Sequence, residues 1–217
     1  AGYEEAGAYL IAALESAGSA VEFVPCHAVA DRFPSTVEEL AAYDLVLLSD
    51  VGADTLQITP RVADGETDVN RCRLLAEYVA DGGAFGMIGG YMSFAGKHGA
   101  ARYGLTAIDD ILPVTVGRAD DRVEAPHGPH PRPKDALPGS PPSKWPSILG
   151  YNLVEADPDA TVWATVDGDP LLVVGDYGDG SAVAFTTDCA PHWAPETFLK
   201  WEYLPTLWSS ILDRVSG

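Results

Sequence analysis

The sequence predicts an α/β protein, a doubly wound three-layer αβα sandwich with a hairpin-rich C-terminal half, and three observations carry that prediction. Helical patterns and apolar strand patterns alternate through the first half of the chain, which requires parallel crossovers. Leu45-Val46-Leu47-Leu48 and Ala84 to Ile88 are short, almost unbroken apolar runs, and strands of that character need cover on both faces. The second half turns to short strands separated by turn residues, the pattern of β-hairpins.

Taken in order, Tyr3 to Ala17 repeats apolar residues at helical spacing and stops at Gly18. A helix as first element is unusual, because a crossover leaves from a strand, so an N-terminal strand is expected to be missing from this sequence. Ala20 to Val24 is predicted as a short strand and Ser35 to Ala42 as a capped helical turn. Leu45 to Leu48 is predicted as a central strand, Val69 to Ala80 as a helix, and Phe85 to Ile88 as the neighbouring central strand. Gly89-Gly90 then turns the chain sharply into the segment from Tyr91. Residues 111–116 and 122–124 read as extended strands. The Pro/Gly/His-rich stretch 126–146 reads as a mobile surface insertion, since its prolines cannot join a ladder. Residues 160–166, 170–174 and 181–186 form the hairpin pattern, and Glu196 to Val215 reads as one closing amphipathic helix, with Trp201 and Trp208 on one stripe.

The 217 residues and a hydrophobic fraction of 47% suit one large domain spanning 1–217. Thirteen Lys and Arg against 32 Asp and Glu give a formal charge of −19, which opposes nucleic-acid phosphate and anionic membranes as partners. Cys26, Cys72 and Cys189 are scattered without a CxxC pair, which fits a reducing compartment and neither a disulfide scaffold nor a zinc-thiolate site. No apolar run approaches the roughly 18 residues of a membrane span, so a cytoplasmic location is expected. No cofactor or metal is expected, because His27, His98, His127 and His130 lack ligand spacing. A small-molecule ligand and a homo-oligomer remain open as partners.

Chemistry is expected where loops leave the carboxyl ends of parallel strands, because unpaired N–H donors converge there. Three such loops are Ser49 to Ala53, Gly89 to Ser93 and Thr186 to Trp193. Asp50 suits orienting a base or a ligand hydroxyl, or simply a turn. Gly52, Gly89 and Gly90 would let backbone N–H groups approach a ligand oxyanion. Asp188 and His192 offer a carboxylate and an imidazole for acid/base work. The same loop equally allows Asp188 to accept in an Asx-turn and His192 to pack on Trp193. Ser93 or Cys189 with His192 would make nucleophile pairs, although Ser93 lies past the sharpest part of the turn and a buried cysteine is more often structural.

The runs 43–53, 80–94 with Ala101-Arg102-Tyr103-Gly104, and 184–193 together resemble the glutamine amidotransferase-like family of bacterial cytoplasmic proteins, related to class I glutamine amidotransferases and to ThuA-like proteins. The resemblance spans nearly the whole chain. It implies a flavodoxin-like αβα sandwich of the class I amidotransferase type. Class I amidotransferases carry an elbow cysteine and a late His-Pro-Glu, so that a thiolate attacks the glutamine amide. Here the elbow reads Ile88-Gly89-Gly90-Tyr91 and the late strand ends Thr186-Thr187-Asp188. The resemblance therefore implies the fold without the glutaminase nucleophile. Two functions stay open: small-molecule binding in the ancestral cleft, or a ThuA-like hydrolase or isomerase acting on a carbohydrate-like substrate. Tyr91 and Trp193 suit contact with a polyol in either case.

Overall fold

The computed structural model describes residues 4–215, so the predicted helix start at Tyr3 lies outside the described residues. Helix α1 (Glu4–Ser16) leads to residues 20–24, which join no ladder among the described residues. After α2 (Val29–Arg32), Thr36 caps α3 (Val37–Leu40), its hydroxyl accepting from Glu39 N at 3.2 Å. Strand β1 (Val46–Ser49) is followed by α4 (Ala53–Gln57), α5 (Pro60–Ala63) and α6 (Arg71–Ala80). Asn70 caps α6, its Oδ1 accepting from Cys72 N and Arg73 N, which satisfies two of the orphan donors at the helix start. Strand β2 (Ala84–Ile88) is buried at every position.

Beyond the elbow come α7 (Ala107–Ile111), β3 (Val114–Thr115), β4 (Arg122–Glu124), β5 (Arg132–Pro133), β6 (Gly150–Asn152) and β7 (Glu155–Ala156). Strands β8 (Thr161–Val166), β9 (Asp169–Tyr177) and β10 (Gly180–Phe185) follow, then α8 (Glu196–Leu199) and α9 (Leu204–Val215). The result is a mixed α/β fold around a central mixed sheet of order β1-β2-β10-β9-β8-β5. β1, β2 and β10 are parallel, and β9, β8 and β5 are joined antiparallel. The short pairs β3–β7 and β4–β6 stand apart from it.

Side chains alternate across the sheet as strand geometry demands. Phe85, Met87, Val173 and Ala184 enter one core with Leu40, Leu56, Leu75 and Ile108. Ile88, Leu172, Val183 and Phe185 enter a second core with Leu14, Phe198, Leu207 and Trp208. Each large side chain fully buried in this way contributes roughly 1.5–3 kcal/mol.

Four expectations change. β1 and β2 are parallel neighbours, but β1 is an edge strand of the sheet, with Val46 and Leu47 only half-buried. Residues 107–111 are helical, because Thr106 caps them through a bond from Ile108 N and Ile108 and Ile111 turn into the core, so the following strand shrinks to two residues. The stretch 126–146 does reach the sheet: Pro133 sits opposite Ala164, tolerated because β5 is an edge strand. Leu137 and Trp145 of the same stretch are buried, with Trp145 packed on Trp201 at 5.2 Å, so it is anchored at two points. The closing helix breaks at residues 200–203, and Pro205, which has no N–H to give, is accommodated in the first turn of α9. Trp208 is buried against Phe185, so it packs on the sheet of its own chain.

Candidate functional site

The parallel strands β1, β2 and β10 bring their carboxyl ends to one side, and the three predicted loops meet there. Asp50 follows β1 with φ +57, a left-handed conformation that Asp tolerates better than most residues. Its Oδ1 accepts from Met92 N at 2.7 Å, and its own N–H donates to Ser93 Oγ at 3.1 Å. Asp50 and Ser93 thus staple the β1 loop to the elbow. Ser93, 1% exposed, is held in that role and makes no hydrogen bond to His192 among the described residues.

The elbow glycines are required by crowding. A Cβ on Gly89 would collide with the Thr186 carbonyl, and one on Gly90, at φ +156, would lie 2.6 Å from Asp50 Oδ1. Their N–H groups are already engaged: Gly89 N donates to Phe185 O at 2.7 Å and Gly90 N to Asn152 Oδ1 at 2.9 Å. Gly52 is buried behind Met92, whose Cε would sit 2.7 Å from a Cβ there, so its missing side chain makes room for packing.

Asp188 is buried, and its Oδ1 accepts from Ala190 N at 3.0 Å, an Asx-turn. Burial, and then the neighbouring Asp50, push its carboxyl up to about 7. Cys189 is also buried, 3.4 Å from Ser49 Oγ, and burial pushes its thiol up, away from thiolate. His192 is exposed. Its ring packs edge-on against Tyr91 at 4.8 Å, and it makes no hydrogen bond to a carboxylate or to Cys189 among the described residues. The Asp188–His192 and Cys189–His192 pairs are therefore not formed.

Tyr91, His192 and Trp193 instead build an aromatic rim of which only His192 is exposed, Tyr91 being half-buried and Trp193 buried, with Tyr91 and Trp193 centroids 5.6 Å apart. Glu124 ties two of them together, accepting from Tyr91 Oη at 2.8 Å and from Trp193 Nε1 at 3.2 Å. The hydrogen bond to Glu124 pushes the Tyr91 phenol up. The Arg122 guanidinium lies 4.6 Å from the centre of the Tyr91 ring, a cation–π contact, while the two bonds it donates to Asp120 fix it in place and hold the Asp120 carboxyl well below its usual range.

Asn152, Asp121 and Glu124 escape the sequence reading. Asn152, fully buried, bonds Gly90 through both its N–H and its carbonyl and gives a further hydrogen to Asp121. Asp121 accepts in addition from Ala95 N and Gly96 N. The acidic pair Asp120-Asp121 ahead of a short strand is the only trace of this network in the sequence; Asn152 leaves none.

A family model described as "Putative glutamine amidotransferase" matches residues 1–217. The chain belongs to this glutamine amidotransferase family. It is similar to the solved cytoplasmic protein STM1381 of Salmonella typhimurium LT2, with 39% identity and TM-score 0.94, covering 99% of this chain and 89% of that one. It is likewise similar to the cytoplasmic protein STM3548 of Salmonella typhimurium, with 34% identity and TM-score 0.93, covering 98% and 88%. A ThuA-like protein of Parabacteroides merdae shares the fold at 13% identity and TM-score 0.60, covering 97% and 84%. No curated protein matches the sequence. No helix among the described residues is long and apolar enough to cross a membrane.

Proposed function

We propose that this member of the glutamine amidotransferase family is a cytoplasmic, single-domain small-molecule binding protein without glutaminase activity, built as a flavodoxin-like three-layer sandwich. The observation that carries the reading is the elbow itself. Gly89, Gly90 and Tyr91 offer no nucleophile, and His192 packs on Tyr91, away from any group it would activate. The nearest thiol, Cys189, is buried and pushed toward its neutral form. What the site does present is the exposed His192 ring against the half-buried Tyr91 ring, an aromatic surface suited to the C–H faces of a sugar or polyol, with Trp193 buried beside them and Lys97 and Arg122 over Tyr91 for a polar or acidic group.

One observation favours a second reading. Asp188, buried beside Asp50 with a carboxyl titrating at about 7, is matched to proton transfer near neutral pH, as a hydrolase or isomerase acting on a carbohydrate-like substrate would need. A thermal-shift screen of the purified protein against glutamine, neutral sugars and sugar acids tests the first reading, since a ligand raises the melting temperature by mass action. We expect a shift with a sugar or sugar acid and no ammonia released from glutamine. Glutamine turnover abolished by Cys189→Ala would overturn the proposal, and chemical conversion of a shifting sugar, lost in Asp188→Asn, would move it to the second reading.

A further inference from the structure

The β5 edge of the sheet carries a feature that the candidate site does not use. Residues 129–148, which include β5, form a loop closed at its neck: Ile148 N donates to the Pro129 carbonyl at 3.0 Å, and His130 Nδ1 donates to the Trp145 carbonyl at 2.7 Å. Leu137 and Trp145 are buried in the second core, so the loop is also held from within. Its prolines have φ fixed by their rings and lose little backbone freedom on folding. A loop pinned at its neck and stiffened along its length keeps one shape. That shape leaves a recess of about 530 Å³, lined by residues from 132–143 and within the size range of small-molecule sites. None of its lining residues belongs to the candidate site.

The charge in this recess runs against that of the chain. Acidic residues outnumber basic ones by 32 to 13, and Arg32, Arg61, Arg102, Arg122, Lys200 and Arg214 each pair with a carboxylate. Arg132 and Lys134 line the recess, and their exposed side chains make no ion pair or hydrogen bond among the described residues. The Ser143 hydroxyl, on the same recess, is equally unengaged among them. Extended backbone places residues i and i+2 on one face, so Arg132 and Lys134 set like charges side by side across Pro133. Such charges repel, and an anion held between them turns the repulsion into attraction. Lys144 follows Ser143 and adds a third cation, against one carboxylate in the recess, Asp135. Leu137 and Pro141 give it apolar wall beside the charges.

We infer that this recess is a second binding site, for a small organic anion whose carboxylate or phosphate group sits between Arg132 and Lys134 and whose apolar body lies on Leu137 and Pro141. The guanidinium of Arg132 offers a planar fork that matches two oxygens of either group, Lys134 adds a point charge, and Ser143 has a hydroxyl to donate. Asp135 opposes every anion at this place and opposes the most highly charged ones most, which favours a small acid over a polyanion.

The test is amide NMR of the 217-residue chain titrated at fixed ionic strength with benzoate, phenyl phosphate and, as the uncharged control, benzamide. We expect saturable shifts centred on the amides of 132–143 with at least one of the two anions and none with benzamide; the tighter of the two anions identifies the charged group. Replacing both cations, Arg132→Gln with Lys134→Gln, should weaken that binding at least about tenfold. Asp135→Asn should tighten it about twofold, a gain that a damaged fold would not give. Shifts that rise with concentration without saturating for both anions overturn the inference, as do equal binding of benzamide and unchanged affinity in the double variant. Saturable shifts centred on Tyr91 and Lys97 overturn it too, because the anion would then belong to the candidate site.

Discussion

The buried floor and the aromatic rim where the three strand-end loops meet join at Gly90-Tyr91 yet are built on opposite terms. The floor, made of Asp50, Gly89, Gly90, Ser93, Asp121 and Asn152, is half-buried to fully buried, and its donors and acceptors are turned on one another. The rim, made of Tyr91, His192 and Trp193, presents ring faces and edges, and its exposed member His192 makes only aromatic contacts among the described residues. A floor whose polar groups are already paired holds a shape and has little left for a ligand, whereas the exposed His192 ring, held by aromatic contacts alone among the described residues, can change partners. Under the proposed binding function, the first would position and the second would recognise.

The most damaging way to break the floor is Asn152→Ala. It leaves the Gly90 N–H and the Gly90 carbonyl without their Asn152 partner in a site closed to water, while Asp121 loses one bond and keeps those from Ala95 N and Gly96 N. Each buried polar group left unpaired costs about 1–3 kcal/mol, so for the two groups of Gly90 we expect a loss on the order of 2–5 kcal/mol in urea denaturation. A loss below about 1 kcal/mol would mean that the floor does not depend on this network.

Asp188 sits on the seam between the two regions and gives the next largest effect, through pH. Its carboxyl titrates at about 7 in the folded protein against an ordinary value of 3.8. Between those values the folded chain keeps a proton that the unfolded chain has released. Stability from this group is therefore complete below about pH 4 and is lost as pH rises through about 7, a difference of up to about 4 kcal/mol. Asp188→Asn should remove that slope and be the more stable protein at pH 8. The check is the difference between wild-type and variant unfolding free energies from pH 4.5 to 8; a difference that stays flat with pH refutes the shift.

Much of this was legible in the sequence, and the misses share a cause. Unbroken apolar runs gave β1 and β2 as parallel neighbours, and the strand-end rule gave three loops that meet at one side of the sheet, because both depend on local pattern. The partners of Asp50, Gly90 and Asp188 were not legible. Asn152 lies 62 residues from Gly90, and Asp121 lies 31 from Asn152, so their bonds are products of the β4–β6 pairing and leave no periodicity to read. Pro133 misled for a related reason: proline forbids a place inside a sheet and is silent about its edge. The edge position of β1 was hidden because Leu45 to Leu48 is as apolar as a central strand.

The smallest effect on stability is the sharpest test of the rim. His192 is exposed, and its edge-on contact with Tyr91 belongs to a class worth about 0.5–1.5 kcal/mol when buried, less at the surface. His192→Ala should therefore change the unfolding free energy by no more than about 0.5 kcal/mol. Its effect on binding should be larger. If the rim recognises ligand, any sugar or sugar acid that raises the wild-type melting temperature should bind the variant about tenfold more weakly, a change of about 1.4 kcal/mol at a site that hardly affects folding. Calorimetric titration of both proteins with that compound separates the two quantities. Unchanged affinity in His192→Ala, together with weakened affinity in a floor variant that still folds, would reverse the assignment and make the buried floor the part that recognises the ligand.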